Sequence, residues 1–300
     1  MTERLKNKVC IITGSGQGIG RGIALAMAKE GARVITNNRR PGTIGGDAKT
    51  TSEEITHMGG SAIPVFGDVS DPRFCKKLIE STMDHFSRLD VLVNNAGVAR
   101  AGTIWNTEED AYHVVMDSHL KGAFFCSRYA SEIMKDQGSG RIISCTSGSW
   151  LGTPGLCVYS AAKAGIVGLT RSMAADLKNF GVTCNAYHPF SYSRLVPKKM
   201  LDSGPNDLGI IRRRYELGLI DKEEYDWQSS PPPPEAVGPF IAYLASDEAS
   251  HITGRVFYVS GGKVALYSDP VREKTIFKKE GFWDVDELIE QVPNLFSDKS

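Results

Sequence analysis

Short apolar runs alternate with stretches of helical periodicity along most of the chain. Lys8-Val9-Cys10-Ile11-Ile12-Thr13 is a continuous apolar run, as expected of a parallel strand buried on both faces. A helical pattern from Arg21 to Glu30 follows and stops at Gly31. Arg33–Asn37 reads as the second strand, about Thr51 to Met58 as a helix, and Ala62–Phe66 as the third strand. Asp71 is placed to cap the next helix, with Pro72 in its first turn. Leu89–Val93 predicts a fourth strand, Glu108–Lys135 a long helix, Arg141–Cys145 a fifth strand, Tyr159–Thr170 a helix and Gly181–Tyr187 a sixth strand. Glu235–Ser246 then reads as a helix, Arg255–Val259 as a strand and Gly261-Gly262 as a turn. Strand and helix alternating across short loops predict an α/β fold: a doubly wound, mostly parallel, Rossmann-like sheet with helices on both faces.

Two segments depart from this rhythm. Residues 195–234 are polar and charged, helical in patches, and end in Pro231–Pro234. An excursion of that length inside a compact fold is uncommon unless it has a role, such as closing over a ligand. Residues 268–300 read as an amphipathic tail that packs on the domain or on a neighbouring subunit. The remainder, 1–267, reads as one domain.

Composition narrows the function. Formal net charge is +0, and the longest basic run is Arg212-Arg213-Arg214, so nucleic acid is not an expected partner. No apolar stretch is long enough to cross a membrane, and the first residues lack a signal-peptide core. The six cysteines are scattered without a C-x-x-C pair, which suits reduced thiols in a cytoplasmic protein and neither a disulfide frame nor a metal site.

Three stretches carry candidate chemistry. Gly14-Ser15-Gly16-Gln17-Gly18-Ile19-Gly20 lies between the first strand and the first helix. Glycines there let a pyrophosphate approach the helix N-terminus, whose open N–H groups and dipole favour an anion. At the end of the second strand, where an acid would bind a ribose 2′-OH, Asn38-Arg39-Arg40 stands instead. Arginines there suit a 2′-phosphate, so NADP(H) is favoured over NAD(H); the alternative is a solvated basic turn. Of the ten tyrosines, only Tyr159 has a lysine, Lys163, four positions on. On a helix the two share a face, and a cation beside a phenol favours the phenolate a general acid/base needs. Taken alone, such a pair reads first as a surface neighbour pair.

Thr13-Gly14-x-x-x-Gly18-x-Gly20, Asn94-Asn95-Ala96-Gly97, Ser147 and Tyr159-x-x-x-Lys163 occur in the order, and on the elements, of the short-chain dehydrogenase/reductase family, which this chain resembles from Lys6 to about Tyr267. The resemblance implies a seven-stranded sheet and hydride exchange between a nicotinamide and a ketone or secondary alcohol. It also implies a homo-oligomer, tetramer or dimer, acting on a small molecule. Tyr159 would be the acid/base, Ser147 the second donor on the reacting oxygen, and Lys163 the ribose ligand. The cofactor groove would be lined by Gly14, Ser15, Gln17, Gly18, Ile19, Gly20, Asn38, Arg39, Arg40, Asp68, Val69, Asn95, Ala96, Gly97, Tyr159, Lys163 and Pro189. Thr13 would fix the turn.

Two departures from the family pattern stand out. The usual serine-to-tyrosine spacing selects Thr146, whereas the strand ending selects Ser147; both stay open. His119 replaces the asparagine usual in the long helix, and an imidazole can still relay a proton or simply fill the core. His119-Leu120-Lys121-Gly122 with Pro189-x-x-x-Ser193-Arg194 is most similar to the hydroxyacyl-CoA dehydrogenase module of the peroxisomal β-oxidation multifunctional enzyme and its bacterial relatives. That resemblance implies a 3-hydroxyacyl thioester; Lys198, Lys199 and Arg212–Arg214 either meet its phosphates or form a solvated basic helix face. Competing expectations are a free cyclic or steroid-like alcohol, with the insertion forming an apolar lid, and a non-catalytic partner subunit; Phe190, Tyr192, Leu195, Met200 and Leu201 supply apolar surface for either substrate.

Overall fold

A computed structural model describes residues 3–192 and 209–296. Within it the chain divides into two compact units, Met1–Leu266 and Tyr267–Ser300.

The first unit is an eight-stranded sheet. β1 (Val9–Ile12), β2 (Arg33–Asn38), β3 (Ser61–Phe66), β4 (Val91–Asn94), β5 (Gly140–Cys145), β6 (Val182–Pro189) and β7 (Val256–Ser260) run parallel, and β8 (Lys263–Leu266) pairs antiparallel to β7. The order is β3-β2-β1-β4-β5-β6-β7-β8. Seven strands were expected; β8 is the addition. It has four residues, Val264 and Leu266 are about half exposed, and it folds back through a turn at Gly261 with φ +58°, so its sequence carries little strand signal.

The interior strands are buried on both faces, which is why they read as unbroken apolar runs. Side chains alternate between two cores. Cys10, Ile12, Val91, Val93 and Ile143 enter one, with Ile23 and Met27 of α1 (Gly18–Lys29). Ile11, Leu92 and Ile142 enter the other, with Leu78 of α3 (Pro72–Phe86) and Met134 of α5 (Gly122–Gln137). α2 (Ala48–His57) and α3 begin at Asp47 and Asp71, each accepting a backbone N–H in its first turn. Each large apolar side chain so buried contributes about 1.5–3 kcal/mol.

The predicted long helix is three continuous segments: α4 (Glu109–Met116), a π-helical turn at Asp117–Lys121, and α5. The wide turn falls on His119. α6 (Cys157–Leu177) carries Tyr159 and Lys163 in its first turns. Part of the 195–234 insertion is described: α7 (Gly209–Glu216) and α8 (Lys222–Gln228), ahead of α9 (Gly238–Ala245). Ser193, Arg194, Leu195, Lys198, Lys199, Met200 and Leu201 lie outside the described residues.

In the second unit, α10 (Val285–Gln291) starts at a capping box of Asp284 and Glu287, and Lys278 pairs with Glu287. No residue of α10 is buried, and Phe277, Phe282 and Phe296 are exposed. Among the described residues, no helix is long and apolar enough to cross a membrane.

Candidate active site

The order of strands reverses direction between β1 and β4, and ligands in such sheets bind where that happens, beyond the carboxyl ends of the strands. A cavity of about 1050 Å³ opens there. It is bounded by residues following β1, β2, β3, β4 and β5 and by the end of β6. All the predicted cofactor and catalytic residues line it except Ser15.

Ser15 is turned the other way. It is fully buried, its N–H donates to the Asn37 carbonyl at 2.8 Å, and its Oγ accepts from the Asn37 N–H at 2.9 Å. Its hydroxyl locks the glycine-rich loop to β2 and is not presented to a ligand. Gly14 and Gly18 have φ +66° and +58°, which glycine adopts without strain. Nothing lies within 4 Å of a Cβ built on Gly18, and Gln17, the N-cap of α1, makes no side-chain capping bond. The start of α1 thus presents open N–H groups to the cavity.

Thr13 fixes this loop against the next one. Its Oγ1 accepts from the N–H groups of Asn95 and Ala96, both at 3.0 Å. Asn95 answers by donating from Nδ2 to the carbonyls of Thr13 at 3.0 Å and Gly14 at 3.3 Å, and its Oδ1 accepts from the buried Tyr187 hydroxyl at 3.1 Å. Asn95 therefore braces the groove from inside.

At the end of β2 the Asn38 side chain is spent on its own loop. Oδ1 accepts from the Ala48 N–H at 2.7 Å, and Nδ2 donates to the Arg40 carbonyl and Thr43 hydroxyl, both at 3.1 Å. Arg39 and Arg40 extend from that loop and are exposed, with Arg39 Nη1 4.0 Å from an Asp68 carboxylate oxygen.

Lys163 is buried at 2% exposure, although it carries an ammonium group. Nζ donates to the Cys145 carbonyl at 2.6 Å and lies 5.5 Å from the centre of the Tyr159 ring. Thr146 is also buried, and its hydroxyl donates to the Lys163 carbonyl at 2.9 Å, tying α6 to the end of β5. Ser147 leads into a short turn, Gly148–Leu151, and accepts from the Ser149 N–H at 3.3 Å. Its own O–H remains uncommitted among the described residues.

His119 packs edge-on against the Tyr159 ring, centroids 5.3 Å apart. Burial, with the Lys163 charge nearby, pushes its imidazole down to about 3, so the ring is neutral at ordinary pH. Nε2 meets the Val98 backbone, 2.7 Å from the carbonyl and 3.1 Å from the nitrogen; the tautomer decides whether it donates or accepts.

The cavity also holds four residues that the sequence did not single out, together with Arg214 of the basic run. His188, Ser191, Ile211, Arg214 and Gln228 line it beyond Ser147. Arg214 was visible as part of a basic run, but its inward turn was not. Arg212 of the same run pairs with Glu216 at 2.8 Å.

A family model described as short chain dehydrogenase matches residues 8–193. The chain belongs to the short-chain dehydrogenase family. It is 37% identical to a 3-oxoacyl-(acyl-carrier-protein) reductase of Synechocystis, over 87% of this chain and 98% of that one. It is 32% identical to the BbsD subunit of (2S)-[(R)-hydroxy(phenyl)methyl]succinyl-CoA dehydrogenase from Thauera aromatica, over 86% and 97%. The crystal structure of a short-chain dehydrogenase from Mycobacterium avium is similar, with a TM-score of 0.80 and 35% identity over 97% of this chain and 95% of that one. This protein is thus an NAD(P)-dependent dehydrogenase or ketoreductase related to hydroxyacyl-type enzymes. The open α1 terminus and the unstrained glycines fit the pyrophosphate of such a dinucleotide.

Proposed function

We propose that this enzyme interconverts a secondary alcohol and a ketone on a 3-hydroxyacyl/3-oxoacyl thioester, using NADP(H) in preference to NAD(H). The observation that carries the chemistry is the buried Lys163 ammonium beside the cavity-lining Tyr159. An ammonium has three donors, and one is committed to Cys145. The other two are available for ribose hydroxyls, and the charge stabilises a phenolate as it forms.

In reduction, the Tyr159 hydroxyl gives its proton to the developing alkoxide, while the Ser147 O–H donates to the same oxygen and holds it in place. When bound, the nicotinamide supplies the hydride. Ser147 is preferred to Thr146 because the Thr146 hydroxyl is already used by the Lys163 carbonyl. His119 orients the Tyr159 ring and holds the loop at Val98; as a neutral imidazole it can pass on a proton without a net change of charge. The thioester substrate draws support from the two named relatives, one acting on an acyl-carrier-protein ester and one on a CoA ester. A cytoplasmic homo-oligomer, dimer or tetramer, is part of the same reading, as is the tail of residues 268–300 as a packing or subunit-contact segment.

A turnover panel tests it: 3-oxoacyl-CoA and cyclic ketones, each with NADPH and NADH, for wild type and Tyr159→Phe. Expected are thioester turnover by the wild type and a loss of about 10²–10⁴-fold in the variant, with NADPH affinity changed by no more than a few-fold. Turnover retained by Tyr159→Phe, or confined to the cyclic ketones, would overturn the assignment.

A further inference from the structure

Beyond Ser147 the cavity ends in a polar wall that the proton chemistry above leaves unused. A Cβ added to Gly148 would lie 2.7 Å from Cε1 of His188 and 3.4 Å from Nη2 of Arg214. The guanidinium of Arg214 therefore stands beside the residue that follows Ser147. Burial, then the charges of Arg214 and Lys163, pushes His188 down to about 3, so its imidazole is neutral.

Among the described residues, two buried polar atoms of this wall have no hydrogen-bond partner: Oε1 of Gln228, a residue 1% exposed, and Oγ of Ser191, 3% exposed. The Gln228 amide cannot be turned round to hide its oxygen. Its Nε2 donates to Glu224 Oε1 at 2.7 Å, and Glu224 is held by Lys263 Nζ at 2.8 Å. Burial pushes the Glu224 carboxyl up, but hydrogen bonds from Lys263 and Gln228 bring it below its ordinary value. An ionised carboxylate only accepts, so the amide nitrogen must face it and the oxygen must face away. Buried polar atoms left unpaired destabilise a fold and mark places where a partner is missing.

We propose that this wall is a subsite for a carboxylate carried by the substrate near its reacting carbonyl. The Arg214 guanidinium pairs with the carboxylate, the Ser191 O–H donates to it, and Gln228 Oε1 accepts from a hydroxyl or N–H on the same substrate. The assignment rests on the reading above only for the position of the reacting carbonyl at Tyr159 and Ser147. A dianionic phosphate suits the wall less, because Gln228 offers it an acceptor with a second carboxylate behind.

Binding to the full chain, without turnover, tests this subsite independently of the reaction. The probes are butanoate, succinate, butyramide and inorganic phosphate, titrated by calorimetry. Wild type should bind the two carboxylates about tenfold tighter than butyramide, as expected for one charge-assisted pair, and tighter than phosphate. Arg214→Gln should reduce the acids to the level of the amide and leave butyramide unchanged. Should Arg214→Gln fail to fold, Arg214→Lys decides, since a point charge without the planar fork should still loosen the acids several-fold. Equal binding of acid and amide by wild type, phosphate binding tighter than the acids, or wild-type acid affinity in either variant would overturn the subsite. Tyr159→Phe should bind all four probes like wild type, so loss of the redox reading would not mimic loss of the subsite.

Discussion

Gly97 and His119 occupy one space: a Cβ added to Gly97 would fall 2.0 Å from Cε1 of the His119 imidazole and 2.6 Å from its Nδ1. The ring cannot move aside, because Tyr159 packs on it edge-on and Nε2 is held by the Val98 backbone. This contact joins the loop after β4 to the π-helical turn. Gly97→Ala should therefore cost about 1–3 kcal/mol, as overpacking does. Adding His119→Ala to that chain should return a large part of the loss. Urea unfolding of both single variants and the double variant gives the coupling energy; strict additivity would show that the two sites do not share this space.

The two buried imidazoles set an acid limit. His119 and His188 are both held at about 3, mainly by burial, whereas an unfolded histidine titrates near 6.5. Between those values the unfolded chain binds protons that the folded chain refuses. Stability is thus unaffected above about pH 6.5 and falls as the pH drops towards 3, by up to about 1.4 kcal/mol per pH unit for each ring. His119→Asn should reduce the slope of unfolding free energy against pH by about half between pH 5 and 6. An unchanged slope would mean that His119 is not buried as a neutral ring.

How much of this was legible depended on whether local chemistry or packing made the feature. The interior strands were legible because burial on both faces leaves only apolar residues in Val9–Ile12 or Val91–Val93, and the turn before α1 because glycine is required where φ is positive. Asp71 and Pro72 announced α3 through capping chemistry alone. The π-helical turn at His119 was not legible, since its residues suit an α-helix and nothing in their pattern marks the extra residue in the turn. Ser15 looked like a groove residue because its neighbours are, but one residue along an irregular loop reverses the direction of a side chain. Arg214 and Gln228 gave no periodic signal. They meet His188 in the lining of one cavity only because α7 and α8 carry them there.

Thr13 offers a test of the brace between the two loops. One hydroxyl accepts from two backbone N–H groups, those of Asn95 and Ala96. Thr13→Val keeps the shape and removes the acceptor, leaving both donors unpaired at about 1–3 kcal/mol each if they stay buried. The loops should then separate enough to admit water. Unfolding free energy should fall by about 1–3 kcal/mol, and NADPH affinity should fall with it. Thr13→Ser, which keeps the hydroxyl, should recover most of both. A Thr13→Val chain as stable as wild type would refute the brace.

On the proposed preference for NADP(H), Arg39 and Arg40 are the residues that would read the 2′-phosphate, because the Asn38 side chain is consumed by Ala48, Arg40 and Thr43. Both arginines are exposed, so a pairing with a 2′-phosphate would be screened by salt. Replacing both with alanine should weaken NADPH about tenfold to a hundredfold, the worth of one or two charge-assisted pairs, and change NADH by less than about threefold. Raising the salt should weaken NADPH in the wild type but not in the double variant. Asp68 acts in the opposite sense: its carboxylate lies 4.0 Å from Arg39 Nη1 and competes for the same guanidinium. Asp68→Asn should therefore tighten NADPH modestly and leave NADH unchanged. Fluorescence titration of both nicotinamides reads all of these. Equal losses for NADPH and NADH in the arginine variant would assign the loop a structural role, with no part in reading a 2′-phosphate.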